Sequence, residues 1–223
     1  MTPDSPAGPG QKNYIPALSF PWLTRFYDAL ISLGMPERRM RGRLADTLAP
    51  ALGAAILEFG CGTASNLVVL KKRQPDLLLT GVDVDIEILE IARAKLQHAG
   101  VKASLVHYDG GRLPLDDASQ DGVCTLLVFH HLTVEQKKLA LAEIRRVLKP
   151  GGRFVLADWG RQRNPLLRAG FFLVQLLDGF ATTRSNAQGL VPGLIADAGF
   201  KGLHEAAHMV TPLGRITYWS ARK

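Results

Sequence analysis

The chain has 223 residues, of which 47% are hydrophobic and 21% charged, and its formal net charge is +7. That length and composition support one domain with a real core and exclude intrinsic disorder of the whole. No apolar run approaches a membrane span, and two cysteines, Cys61 and Cys124, are too few for a disulfide framework; both read as small packing residues.

In chain order, MTPDSPAGPGQKN reads as a flexible lead-in over residues 1–13 and not as a signal peptide. With the sparse cysteines this favours a reduced, cytoplasmic setting. The stretch over residues 14–50 predicts amphipathic helix, with Trp22, Leu23, Phe26 and Tyr27 close together. Beyond it the pattern alternates between short apolar runs and helical stretches, the mark of a parallel sheet with crossover helices. Strands are expected over 54–59, 77–83, 103–108, 122–129 and 153–159. Helices are expected over 65–74, 85–100 and 133–152, the last two ending at glycine. A final pair, 202–210 and 214–223, predicts an antiparallel edge joined by a turn around Pro212 and Gly214. Between the fifth strand and this hairpin, residues 164–186 are unusually apolar and form either a packed lid or the wall of a greasy pocket.

The basic residues fall in three clusters: Arg38, Arg39, Arg41 and Arg43; Lys71, Lys72 and Arg73; Arg161, Arg163 and Arg168. No aromatic residues interleave with them as in a single-strand nucleic-acid groove, so they read as solvated helix faces, with phospholipid headgroups the competing partner.

The chemistry concentrates in ILEFGCGTASN, residues 56–66, where a strand turns into a helix. Gly60 and Gly62 permit a tight turn and close approach of a ligand, and the helix start offers free N–H groups. A dinucleotide spacing would put its third glycine at Ser65. Glu58, moreover, suits a ligand carrying an ammonium or sulfonium better than a pyrophosphate. Asp83 ends the second strand, where a carboxylate accepts ribose hydroxyls.

Together these residues resemble the class I S-adenosylmethionine-dependent methyltransferases, close to the ubiquinone and menaquinone biosynthesis methyltransferase-like group. LEFGCGTAS is similar to the family's first motif, and Asp83 matches its ribose-binding acid. YDGGRLPLDDASQDGV matches the stretch in which Asp109 holds the adenine amino group, and LKPGGRFVLADWG resembles the turn into strand five. Ala64 stands where the family often has a third glycine, and Gly110-Gly111 replaces its small residue and acid. The resemblance implies an α/β, Rossmann-like seven-stranded sheet ordered 3-2-1-4-5-7-6 with strand seven antiparallel. It implies helices on both faces, an N-terminal helical cap (14–50), a cofactor-binding core (51–160), and lid helices with the C-terminal hairpin (161–223).

The resemblance also implies S-adenosyl-L-methionine as cofactor, held by Glu58, Gly60, Cys61, Gly62, Asp83, Val84, Asp109, Gly110, Phe129 and Tyr27. Tyr27 is the candidate aromatic nearest the sulfonium. His130 and His131, just past strand four, are the candidates for a base that takes the acceptor's proton, against a reading in which they only cap or pack. The expected acceptor is small and hydrophobic or lipid-like, a quinone precursor or phospholipid, with contact at a membrane surface. A nucleic-acid methyltransferase and a non-catalytic cofactor-binding module are the competing functions. The missing Asn/Asp-Pro-Pro-aromatic motif counts against methylation of amines on nucleic-acid bases. The sequence does not fix the acceptor atom or the oligomeric state.

Overall fold

The computed structural model describes residues 35–223. Seven strands form one sheet in the order β3-β2-β1-β4-β5-β7-β6, as expected. The strands are β1 (Ala55–Phe59), β2 (Leu78–Asp83), β3 (Ser104–His107), β4 (Gln120–Leu126), β5 (Leu148–Trp159), β6 (Lys201–Thr211) and β7 (Gly214–Arg222). The first five run parallel, and β7 pairs antiparallel with both β5 and β6. The helices are α1 (Glu37–Leu48), α2 (Ser65–Arg73), α3 (Ile86–His98), α4 (Val134–Val147), α5 (Pro165–Asp178), α6 (Phe180–Gln188) and α7 (Val191–Asp197).

Local chemistry starts these helices where it should. Asp85 accepts from Glu87 N and Ile88 N ahead of α3, and Asn164 accepts from Leu166 N ahead of α5, with Pro165 at the first helical position. Thr133 and Gln136 form a reciprocal capping box at α4.

Alternate residues of the central strands face opposite sides, so each side buries its own core. Ile56, Leu79, Val155 and Ala157 pack with α1, α2 and α5 residues such as Leu44, Leu67 and Phe171. Leu57, Val82, Val123 and Phe154 pack with Leu141, Ile144 and Ile195 on the other side. The Tyr218 hydroxyl donates to Met40 O at 3.1 Å and ties α1 to β7.

Two boundaries differ from expectation. The fourth strand, expected over 122–129, ends at Leu126 because Leu127 takes a left-handed φ of 56° and turns the chain into a 3-10 turn at Phe129–His131. The helix read from 133–152, with Pro150 expected past its final turn, stops at Val147, and Pro150 pushes Lys149 toward extended backbone; what was not expected is that β5 begins at Leu148, which pairs with Gln120. The apolar stretch 164–186 falls in two helices, α5 and α6, separated at Gly179 (φ 90°), and α7 follows after Gly189 (φ 75°), in line with the lid helices expected there.

Candidate active site

Strand order reverses between β1 and β4, and the crevice at the carboxyl ends of these strands is where open α/β sheets bind ligands. Glu58, Asp83, Asp109, His130 and His131 all lie at or just beyond those ends. Tyr27 lies outside the described residues.

The first turn is built around Asp83. Its Oδ2 accepts from Gly62 N at 2.7 Å and its Oδ1 from Asp85 N at 3.1 Å. Each carboxylate oxygen keeps a second lone pair for a ligand hydroxyl. Gly60 (φ +69°) and Gly62 (φ +50°) have different reasons to be glycine. A Cβ on Gly60 would sit 2.5 Å from Val128 Cγ2, so that glycine serves contact with the loop after β4, whereas a Cβ on Gly62 would meet only open space. Cys61 is buried with its sulfur against Gly81, which makes it a packing residue. Ala64 takes the left-handed conformation (φ 59°) that the family glycine would take without strain.

Glu58 is buried under α2, where its Oε1 accepts from Asn66 Nδ2, and Arg41 Nη1 donates to Asn66 Oδ1 at 3.0 Å. Its other oxygen, Oε2, is buried with no hydrogen-bond partner. Burial pushes the carboxyl up to about 8, against the opposing pull of Asn66. Asp109 sits in an exposed turn where Gly111 N donates to its Oδ1 at 2.8 Å, next to Gly110 (φ +87°). Val84 is exposed beside Asp83, its carbonyl 3.2 Å from His107 Nε2. Phe129 is wholly buried, its ring edge-on to Phe59 at 6.2 Å, so it belongs to the core.

The two histidines have separate environments. His130 is buried: its Nδ1 is 2.9 Å from Asp158 Oδ1, its backbone N donates to Asp158 Oδ2 at 3.2 Å, and its Nε2 is 3.5 Å from Asp178 Oδ2. Burial draws the imidazole down, but the charges of Asp158 and Asp178, with the hydrogen bond to Asp158, outweigh it and raise the pKa to about 9. His130 is therefore an imidazolium at neutral pH and has no lone pair to offer. His131 stays exposed, its ring 3.9 Å centroid to centroid from that of His130. Protein packed around one side of the ring, together with the positive charge on His130, pushes it down to about 4, so it is neutral. Asn186 and Trp159 N complete the Asp158 shell, and the buried Lys137 donates to Leu132 O and Thr182 O, joining the loop to α6.

Asp158, Asp178, Asn66 and Asn186 are site residues that motif reading passed over. Asp158 had a signal, since it stands at the carboxyl end of a parallel strand. Asp178 had none, because its approach to His130 depends on where α5 ends.

Comparison with known proteins gives the class. Residues 56–152 match the family described as "Methyltransferase domain". The chain is 32% identical over 194 residues to an S-adenosyl-L-methionine-dependent Diels-Alderase of Talaromyces variabilis, covering 81% of this chain and 65% of that protein. It is 31% identical over 168 residues to a demethylmenaquinone methyltransferase of Roseiflexus castenholzii, covering 74% of this chain and 68% of that protein. The crystal structure of a SAM-dependent methyltransferase from Aquifex aeolicus superposes with a TM-score of 0.63 at 19% identity, over 87% of this chain and 97% of that one. The chain spans 65%, 59% and 61% of the length of three curated relatives it matches.

The chain belongs to the class I S-adenosylmethionine-dependent methyltransferases. Its residues fit that cofactor: the buried Glu58 carboxyl has an orphaned oxygen and gives up its proton beside a cation, Asp83 retains acceptor capacity for hydroxyls, and the space at Gly62 admits close approach.

Proposed function

We propose that the protein transfers the methyl group of S-adenosylmethionine to a small hydrophobic or lipid-like acceptor that lies along α5 and presents its reacting atom beside His131. The carrying observation is the outward face of α5 and α6. Leu166, Phe172, Leu176 and Phe180 are exposed there, and the rings of Phe172 and Phe180 pair at 5.7 Å, while Asp178, on the buried side of α5, brings the end of that helix against His130. Ordinary surface helices bury one apolar stripe; α5 buries Phe171 and Val174 and still presents a second. Relatives named as ubiquinone/menaquinone biosynthesis C-methyltransferase and demethylmenaquinone methyltransferase agree with such an acceptor. Exposed Arg161, Arg163 and Arg168 flank the face and suit anionic headgroups where the acceptor resides in a membrane. Among the described residues no helix is long and apolar enough to cross one.

The cofactor supplies a methyl carbon on a positively charged sulfur, open to in-line attack and leaving behind a neutral thioether. Asp83 and Glu58 hold and orient it, and Asp109 serves its adenine. Neutral His131 accepts the acceptor's proton; with its low basicity it does so late, once bond formation has acidified that proton. His130, charged and clamped by Asp158, fixes the loop that carries His131.

The test is incubation with methyl-labelled cofactor and a fractionated cell extract. Label should enter the lipid-soluble fraction, and Phe172→Glu with Leu176→Glu should lower that labelling about tenfold or more without weakening cofactor binding. Label confined to nucleic acid or to water-soluble metabolites would overturn the reading. The Diels-Alderase relative, aligned over 81% of this chain, favours a second reading in which the bound cofactor serves a ring-forming reaction. Release of the demethylated cofactor during turnover decides against it.

A further inference from the structure

We propose that His130, His131 and Asp178 form a binding site for one divalent transition-metal ion of the zinc type. One potential ligand atom from each residue lies within 4.8 Å of the other two. Asp178 Oδ2 is buried and accepts no hydrogen bond, which is costly for a carboxylate unless a cation meets it. Its distance to His130 Nε2, 3.5 Å, is long for a hydrogen bond. It is, however, about the 3.3–3.5 Å that separates two ligand atoms of one ion bound tetrahedrally at about 2.0–2.2 Å. The exposed ring of His131 has room to close the remaining gap.

A second shell is already in place. Asp158 Oδ1 sits 2.9 Å from His130 Nδ1 and is itself held by Trp159 N and Asn186 Nδ2. A carboxylate on the far nitrogen of a histidine fixes the ring and directs its other nitrogen at the ion. Two imidazoles with one carboxylate suit zinc, cobalt, nickel or iron(II) and suit magnesium or calcium poorly. Three protein ligands leave a position open on the exposed side, at His131. The ion displaces to solvent the proton that His130 Nε2 carries in its absence; with the ion bound, His131 is a ligand and not a base, and an acceptor oxygen in the open position would lose its proton more readily. That role rests on the methyl-transfer reading; the binding itself does not.

Metal-free, untagged full-length protein titrated with zinc chloride in a calorimeter, and with cobalt(II) by visible absorption, tests the proposal. One ion per chain should bind, Asp178→Asn and His131→Ala should each abolish the cobalt spectrum, and Asp158→Asn should weaken zinc about 10- to 100-fold. His131 is exposed, so its variant separates loss of a ligand from loss of the fold. The proposal falls if the wild type takes up neither ion, which would leave His130 as an imidazolium bridging two carboxylates. It falls equally if uptake survives both ligand variants and disappears in His204→Ala with His208→Ala on β6. Ion binding without methyl transfer would instead sink the proposed function, and methyl transfer without ion binding would sink only the metal site.

Discussion

Glu58 keeps a carboxyl group in the core beside a single amide partner, and the cost of its charge falls on whichever state must carry it. The folded pKa of about 8 lies above the ordinary 4.5, so the folded chain holds a proton that the unfolded chain releases. Its contribution to stability is whole below the unfolded value and is lost as pH rises through about 8. Glu58→Gln should therefore flatten the fall in Tm of the ligand-free protein between about pH 5 and pH 9, read by thermal melts across that range. The same variant cannot become an anion, so its affinity for the cofactor should drop about tenfold or more in calorimetry, through loss of a charge-assisted contact. Asp83→Ala removes the anchor of Gly62 N and, on the proposed binding of the cofactor, the acceptor for its two ribose hydroxyls. Cofactor affinity should fall on the order of ten- to a hundredfold, about 1.5–3 kcal/mol, while the fold persists. Unchanged affinity in a folded variant would remove Asp83 from the site.

At the scale of elements, α1 ends under strain that one substitution relieves. Ala49 closes the helix in the left-handed conformation, φ 40°, with its side chain exposed, while Arg153 Nη1 donates to the last carbonyls, Thr47 O and Leu48 O. A glycine takes that conformation without the Cβ penalty, so Ala49→Gly should add about 0.5–1 kcal/mol, seen as a higher denaturation midpoint at unchanged slope. The strand after α4 and the loop after β4 show where element reading from sequence fails. VCTLLVF looks like continuous strand because all its residues but Thr125 are apolar, and nothing in their types reveals that Leu127 turns left-handed. KPGG looks like the end of a helix, but the ladder to Gln120 claims Leu148 for the sheet two residues before the proline. Tertiary pairing decides both.

For the whole molecule, the strand order and the antiparallel β7 were legible through a family resemblance carried by four motifs, in order and at their proper separations, which mark β1, β2, β3 and β5. The places of Glu58, Asp83 and Asp109 at or just past strand ends were legible because a strand end is a position that sequence can number. The environment of the histidines was not. VFHHL offers two equal imidazoles, and only folding puts one between Asp158 and Asp178, which come from 28 and 48 residues further along the chain, and leaves the other at the surface. Cap residues before Met35, with Tyr27, fall outside the described structure. One contact joins the two halves of the site: Val128 rests against Gly60, and His130 follows two residues later. Whatever stiffens the glycine turn also stiffens the histidine loop, so the ligands that use them share a coupling free energy. Acceptor should bind more tightly when the demethylated cofactor is already in place, and by reciprocity the cofactor product should gain the same factor from the acceptor. Val128→Ala should shrink that factor toward one in paired calorimetric titrations, leaving each ligand's solitary affinity nearly intact. Donor and acceptor would then each prolong the other's stay, so the reactive sulfonium is held longest in a crevice that its acceptor has already closed to water.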